Sequence, residues 1–304
     1  MRFNKLDLNL LVALDALLKE HSVTLAAEAL NLSPSAMSNS LARLRDYFDD
    51  DLLVQIGRKM ELTPRAINLQ EAVRDVLLRI DSTIAQAPAF DPRTSDRLFR
   101  ILASDYTQMV LGPALMALAA QRGSTVRLEF APQIKQPQHL LERGEADLLI
   151  IPAGYTSPEH PHAPIYRENF VCMVWREGRL ARGPLSFERY VDAEHVVMQP
   201  RDGRVDIFDK SILKRHGVSR KVAVVTYSFV ALPALLVGTD RIATVHERIA
   251  HRLLNVWPLE TRPMPMAFDA MEQAMQWHKF RSKDPGLAWL RGLITAAGQR
   301  IDEF

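Results

Sequence analysis

The chain of 304 residues is 47% hydrophobic and 24% charged with a formal net charge of +2, an ordinary globular composition with length for two or more domains and no low-complexity tract. Its single cysteine, Cys172, excludes an internal disulfide framework and a cysteine-based zinc site, and fits a reducing compartment. The leucine-rich N-terminus is interrupted by Asp7, Asn9, Asp15, Lys19 and Glu20 with no small-residue cleavage site after it, so neither a signal peptide nor a membrane span is expected, and the expected location is cytoplasmic.

Leu8, Leu11, Leu14, Leu17 and Leu18, broadened by Leu6, Leu10 and Ala13, predict a buried scaffold helix from about Asp7 to Glu20. TLAAEALN, from Thr24, predicts a second short helix with Leu25, Ala26, Ala29 and Leu30 facing inward. After the turn Asn31-Leu32-Ser33 comes a third helix, Ser33 to Phe48: Ser33 is a favoured N-cap, and Pro34 sits where its missing N–H costs nothing. Met37, Leu41, Leu44 and Phe48 give it an inward face. Ser35, Ser38, Asn39, Ala42, Arg43 and Arg45 fill much of the remainder, where small hydroxyls and an amide can approach base edges and the arginines can reach phosphates or a guanine. Two short helices joined by a tight turn, the second bearing Ser, Asn and Arg, make a helix-turn-helix pattern.

DLLVQIGRKMELTP then predicts a small hairpin, or wing, whose tip Gly57-Arg58-Lys59 is basic and suited to phosphates or a minor groove. Net charge gives this end no independent support, since residues 1–66 hold eight Lys/Arg against nine Asp/Glu. The argument rests on where Arg43, Arg45, Arg58 and Lys59 lie, with Asp49-Asp50-Asp51 between them.

Thr63-Pro64 is again a cap followed by a first-turn proline, and the next proline is Pro88, which leaves room for a helix of about 23 residues, roughly 35 Å long. Leu69, Val73, Val76, Leu77, Ile80 and Ile84 form an apolar stripe that needs a partner. The same helix of a second chain would supply one and make a dimer through residues 64–87, with a tetramer as a further assembly; packing on its own domain is the alternative. A stiff hinge follows at 88–96, around Ala87-Pro88-Ala89-Phe90-Asp91-Pro92.

From Arg97 short apolar runs alternate with helical stretches. Strands at Leu98–Ala103, Val126–Phe130 and Asp147–Ile151, with helices at Thr107–Gln121 and Pro137–Gly144 between them, imply a parallel sheet. Further strands are expected at Phe170–Trp175, His195–Met198, Val222–Val225, Arg241–Val245 and Ala274–Trp277, and helices at Ile207–His216, Phe229–Val237 and Gly286–Ala297. Two α/β lobes are the economical reading, with a ligand at the strand ends in the crevice between them. Ser104, Asp105 and Thr107 open a helix directly after a strand and can meet an anion or a polar edge, although Asp105 would repel a carboxylate, which favours a neutral or phenolic ligand. Pro152, Phe170, Gln199, Phe229 and His278 are further candidate liners, beside Ile151 and Trp277. Cys172, in an apolar strand, reads as a small buried hydrophobe.

An enzyme is not expected. His246 and His251 are five apart, which turns the second about 140° from the first and spoils a zinc-protease helix. No nucleophile elbow or phosphate-binding loop is present. His160-Pro161-His162 reads as a solvated proline-rich loop. No cofactor or metal is expected.

The motif residues Ala26-Ala27 with Leu30, Leu32-Ser33, Ala36-Met37-Ser38, Leu41, Leu44, Leu52-Leu53 and Leu62-Thr63-Pro64 resemble the LysR-type transcriptional regulators. The opening RFNKLDLNLLVALDAL, the run YFDDDL, and the later SDY, FVCMVW and MQWHKF look most similar to its NodD-like branch, responsive to aromatic or flavonoid compounds. The resemblance implies a multidomain α+β protein: a winged helix-turn-helix at 1–63, a linker helix at 64–87, a hinge at 88–96, and an effector domain at 97–304 resembling type II periplasmic binding proteins. It also implies lobe I at 97–168 and 270–304, with lobe II at 169–269 inserted. DNA-facing positions carried over from the family are Pro34, Ser35, Ser38, Asn39, Arg43 and Arg58, with Ser33 at the cap and Lys59 beside them. The implied partners are double-stranded DNA, a second copy of the chain, a small aromatic effector and RNA polymerase. Two departures stand out: the family usually has Gln-Pro at Pro34-Ser35 and commonly has arginine at Gln55. The competing reading is a small-molecule receptor with a vestigial DNA-binding module.

Overall fold

The computed structural model describes residues 6–57, 59–83, 90–133, 136–199, 213–214, 217 and 219–303, without the side chains of 81–83. Arg58, Ile84, the hinge residues Ala87-Pro88-Ala89 and most of the expected helix Ile207–His216 lie outside the described residues. Two compact units, Met1–Pro88 with Glu142–Gly144 and Ala89–Leu141 with Glu145–Phe304, are taken in turn.

The first unit runs α1 (Leu8–Glu20), α2 (Val23–Ala29), α3 (Pro34–Phe48), β1 (Leu53–Ile56), β2 (Lys59–Leu62) and α4 (Pro64–Thr83). Each of the first three helices starts on a side-chain cap: Asp7, Ser22 and Ser33 accept from Leu10, Leu25 and Ala36 N–H. Their inward faces meet in one core of Leu10, Leu14, Leu17, Met37, Leu41, Leu44, Leu52 and Leu53. Three residues expected inward face out, Leu8 at 54% and Leu25 at 48% exposed, with Ala29 also exposed; Leu10 and the alanines Ala26 and Ala27 take the contact instead, because close helix approach favours the smaller side chains.

The stripe on α4 is divided. Ala66, Leu69, Val73 and Leu77 pack on this same core, and Gln70 Nε2 donates to the Leu18 carbonyl at 2.9 Å while Arg74 pairs with Asp15. Ile67 and Val76 stay exposed. Part of the face expected to meet a second chain is thus spent on its own domain.

The second unit holds two mixed sheets. One has the order β4 (Arg127–Ala131), β3 (Leu98–Leu102), β5 (Leu148–Pro152), β12 (Met271–Gln276), β6 (His162–Glu168). The other runs β11 (Leu259–Pro263), β7 (Phe170–Trp175), β10 (Ile242–His246), β8 (Glu194–Met198), β9 (Lys221–Thr226). Their cores are parallel, but β12 is antiparallel to β5 and β6, and β7 to β10 and β11. The parallel arrangement expected of β3, β4 and β5 is present, and the strands that run against their neighbours are β12 and β7. The chain crosses between sheets at Asn169 and again between Pro263 and Met271.

Helices α5 (Asp105–Gln121), α6 (Gln138–Glu142), α7 (Phe187–Asp192), α8 (Leu232–Leu236), α9 (Glu247–Leu254) and α10 (Pro285–Gln299) complete the unit. Pro113 lies inside α5 and cannot donate to the Met109 carbonyl; the Arg252 guanidinium takes that carbonyl instead. A Cβ at Gly298 would meet the Ile165 backbone oxygen at 2.7 Å, so α10 lies against β6 only because that side chain is missing. His160, expected to be solvated, is buried against His278 at a ring separation of 4.8 Å, whereas His162 is exposed and begins β6.

Candidate DNA interface and interlobe site

In the first unit, Ser33, Pro34, Ser35, Ser38, Asn39 and Arg43 are all exposed, while Met37, Leu41 and Leu44 on the same helix are buried. The 3.6-residue period separates the two faces cleanly. Ser33 Oγ caps Ala36 N–H at 3.2 Å and lies 3.0 Å from Ser35 Oγ. Arg43 Nη2 reaches Asp7 Oδ2 at 3.2 Å, and Asp7 Oδ1 accepts from Leu10 N–H at 2.9 Å. The Leu10 N–H, aided by Arg43, holds the Asp7 carboxyl below the usual carboxylate range.

Arg45 is a correction. Its Nε and Nη2 donate to the Asp51 and Leu53 carbonyls, each at 2.8 Å, so it ties the end of α3 to the first wing strand instead of facing a groove. The acidic run is structural as well. Asp49 ends α3 in the left-handed region, and Asp50 Oδ1 accepts from Leu52 N–H at 2.7 Å and Thr63 Oγ1 at 2.6 Å. The Thr63 hydroxyl is the main reason the Asp50 carboxyl lies below its usual range. In the wing Ile56 pairs with Lys59, and Gly57 turns with φ of 65°. Lys59 is exposed, and Gln55 Nε2 donates to the Gly57 carbonyl at 3.1 Å, so this amide closes the turn.

In the second unit the first turn of α5 meets residues of the other sheet. Ser104 is the N-cap: its Oγ accepts from Thr107 N–H at 3.2 Å and lies 3.1 Å from Thr107 Oγ1. Asp105 Oδ2 accepts from Ser228 Oγ at 2.7 Å and Val230 N–H at 3.2 Å. Tyr106 stacks on His246 with ring centroids 3.9 Å apart and lies 5.8 Å from the Phe229 ring; Phe170 and Phe229 each stand 4.9 Å from His246. Gln273 Nε2 donates to the buried Thr107 hydroxyl at 3.1 Å, and Gln273 pairs across strands with Pro152. Ser104, Asp105, Thr107, Pro152, Phe170 and Phe229 therefore form one neighbourhood. Gln199 borders it: its N–H donates to the Thr226 carbonyl at 2.7 Å, and Thr226 Oγ1 accepts from Ser228 N–H, whose hydroxyl reaches Asp105. His278 is elsewhere, its Nδ1 accepting from Phe280 N–H at 3.2 Å beside His160.

Sequence reasoning missed the polar joint under this neighbourhood. The Tyr106 hydroxyl donates to Glu168 Oε2 at 2.6 Å, and Glu168 also receives Arg248 N–H and Nη1, each at 3.3 Å. Arg248 in turn pairs with Asp302 at 2.6 Å. Burial pushes the Glu168 carboxyl up against the pull of Tyr106 and Arg248, and burial drives the His246 imidazole down to about 3, so it is neutral. Glu168 immediately precedes the crossing residue Asn169, and a charge where the chain leaves a sheet was its available signal. Burial likewise raises the Cys172 thiol, which is buried as expected. Among the described residues no cluster of three metal-ligating side chains occurs, and no helix is long and apolar enough to cross a membrane.

Comparisons with known proteins agree with this architecture. Residues 8–67 match the family "Bacterial regulatory helix-turn-helix protein, lysR family", and residues 93–299 match the "LysR substrate binding domain". Nodulation protein D 3 of Mesorhizobium japonicum is 37% identical over 99% of this chain and 100% of its own length. Nodulation protein D 2 of Rhizobium tropici is 40% identical over 97% of this chain and 93% of its own. A solved structure described as a probable transcriptional regulator from Pseudomonas aeruginosa is 28% identical, covers 96% of this chain and 97% of its own, and superposes with a TM-score of 0.66. This chain belongs to the LysR family of DNA-binding transcriptional regulators with a small-molecule effector domain, close to the nodulation protein D branch.

Proposed function

We propose that this regulator responds to a neutral aromatic or phenolic effector held beside the first turn of α5. The observation that supports this is the lining: Tyr106, Phe170, Phe229 and a neutral His246 supply ring faces, while Asp105 and Glu168 disfavour an incoming carboxylate. Ser104 and Thr107 provide hydroxyls for orientation. Gln199, bordering Thr226 and Ser228, supplies a further polar group, and His278, beside His160, is not part of this reading. DNA is read by Ser33, Pro34, Ser35, Ser38, Asn39 and Arg43 on α3, with Arg58 and Lys59 of the wing along phosphates. The module boundaries are 1–63, 64–87, 88–96 and 97–304. The assembly is a cytoplasmic dimer or tetramer joined through the exposed face of α4, with RNA polymerase as a downstream partner. No enzymatic activity is assigned to it.

An effector alters promoter output only if it binds two arrangements of the protein with different free energies. The test has two arms. Fluorescence anisotropy of the full-length protein on the duplex upstream of its own gene, against unrelated duplex over a salt series, should show a tight, salt-sensitive preference. A panel of hydroxylated aromatics against aliphatic carboxylates, read by thermal shift, should stabilise the protein only with the aromatics, and Phe229→Ala should abolish that shift. Absence of DNA binding at low salt would favour a receptor with a vestigial DNA module. Stabilisation by the carboxylates alone would overturn the aromatic assignment.

A further inference from the structure

Asp7 uses its two carboxylate oxygens for different tasks. Oδ1 caps α1 by accepting from Leu10 N–H at 2.9 Å, and Oδ2 holds Arg43 Nη2 at 3.2 Å, 36 residues further along the chain on the helix proposed to enter the groove. Both side chains are 52% exposed. An ion pair so open to water adds little to folding, and its geometry is nonetheless defined: the cap fixes the carboxylate plane, and the carboxylate fixes where the guanidinium starts. Arg43 is the one arginine of α3 that is not spent on the fold, since Arg45 is bonded to the Asp51 and Leu53 carbonyls. Asp7 also places a negative charge beside the one cation of α3 that is not bonded to backbone carbonyls.

We infer that Asp7 is a positioning residue for DNA recognition: it aims Arg43 at one point of the groove and restrains its attraction to phosphates in general. The inference rests on the reading of Arg43 as a DNA contact. Its consequence is a trade of affinity for selectivity. With Asp7 in place, random duplex must compete with the carboxylate for the guanidinium, and only a site that offers a better partner in the preset position wins.

Asp7→Asn separates the two tasks, because asparagine caps a helix as well as aspartate does but neither pairs with nor restrains a guanidinium. The full-length protein is measured by anisotropy on a duplex enriched from a random pool by in vitro selection and on the unselected pool, across a salt series. D7N should bind the unselected pool about 3- to 10-fold more tightly at low salt with a steeper salt slope. The selected-to-unselected ratio should fall by a similar factor, with the melting temperature unchanged. In an Arg43→Ala background the same substitution should leave that ratio unaltered. Asp7→Ala, which also removes the cap, controls for helix stability: it should lower the melting temperature, as D7N does not. Equal tightening of both duplexes by D7N in either background would mean a diffuse charge effect and overturn the inference. If Arg43→Ala changes neither duplex, the reading of Arg43 falls, and the inference with it.

Discussion

The exposed face of α3 and the buried joint around Glu168 are both polar, yet they are built on opposite terms. On α3 the serines and Asn39 stand in water with local bonds only, and Arg43 has a single open pair. Around Glu168 the side chains come from β6, α5, α9 and the C-terminal turn, and each is committed to a partner. A surface that must exchange its partners for a ligand keeps its own bonds few, whereas a joint between sheets has to satisfy every charge it buries. Stability should therefore respond strongly to changes at the joint and weakly to changes on the helix face, while DNA affinity should do the reverse.

The largest test of that contrast is Arg248→Ala. The Glu168 side chain is fully buried, and removing its cation leaves an uncompensated charge, a loss of about 3 kcal/mol. Urea unfolding should report it in the second unit while DNA affinity per folded molecule stays constant; a loss under 1 kcal/mol would mean the joint tolerates an orphaned carboxyl, as about that much is all an exposed pair costs.

Acidification probes the same region. The His246 imidazole is lowered from 6.5 to about 3 and that of His195 to about 4. Depressed values of this kind contribute stability that is present above the unfolded value of 6.5 and is lost as pH falls from there toward 3. Each histidine should weaken the fold by up to about 1.4 kcal/mol per pH unit, His246 down to about 3 and His195 down to about 4. Glu168, raised by burial, works in the opposite sense, so the slope of the wild type is compared with that of His246→Gln, which should be shallower between pH 7 and about 5.

On the helix face, Ser33→Ala removes a cap and should cost about 1 kcal/mol, with DNA affinity reduced on all sequences alike because the whole N-terminus of α3 loosens. Smallest is Leu25→Ser: this leucine is exposed, so the change should stay within about 0.5 kcal/mol. A larger loss would show that the outward position of Leu25 is used by a contact outside the chain.

The same contrast explains how much the sequence disclosed. Helix starts at Asp7 and Ser33, the inward set of α3 and the wing depend on neighbours within a few residues, and periodicity with capping chemistry exposes them; α2 begins at Val23 on the Ser22 cap, one residue before the expected Thr24. The strands of the second unit were legible where apolar residues cluster, as in Phe170–Trp175. β6 and β11 were not, since HAPIYRE and LETRP hold only scattered apolar residues and pair through partners more than 80 residues away. Arg45 and Asp50 were hidden for a related reason. Their charges look destined for solvent, and only the folded chain shows the carbonyls that claim Arg45 and the N–H and hydroxyl that claim Asp50. The joint of Tyr106, Glu168, Arg248 and Asp302 spans nearly 200 positions, and no local rule links its members.

One feature of α4 reaches beyond stability. Because Leu69, Val73 and Leu77 are pinned into the core of the helix-turn-helix, with Gln70 and Arg74 fastened to α1, no swivel separates this 20-residue helix from the recognition helix. The pair acts as a rigid lever about 30 Å long. A twist applied at its far end turns α3 by the same angle, and a graft that keeps residues 6–83 intact would carry its DNA preference onto a different sensor.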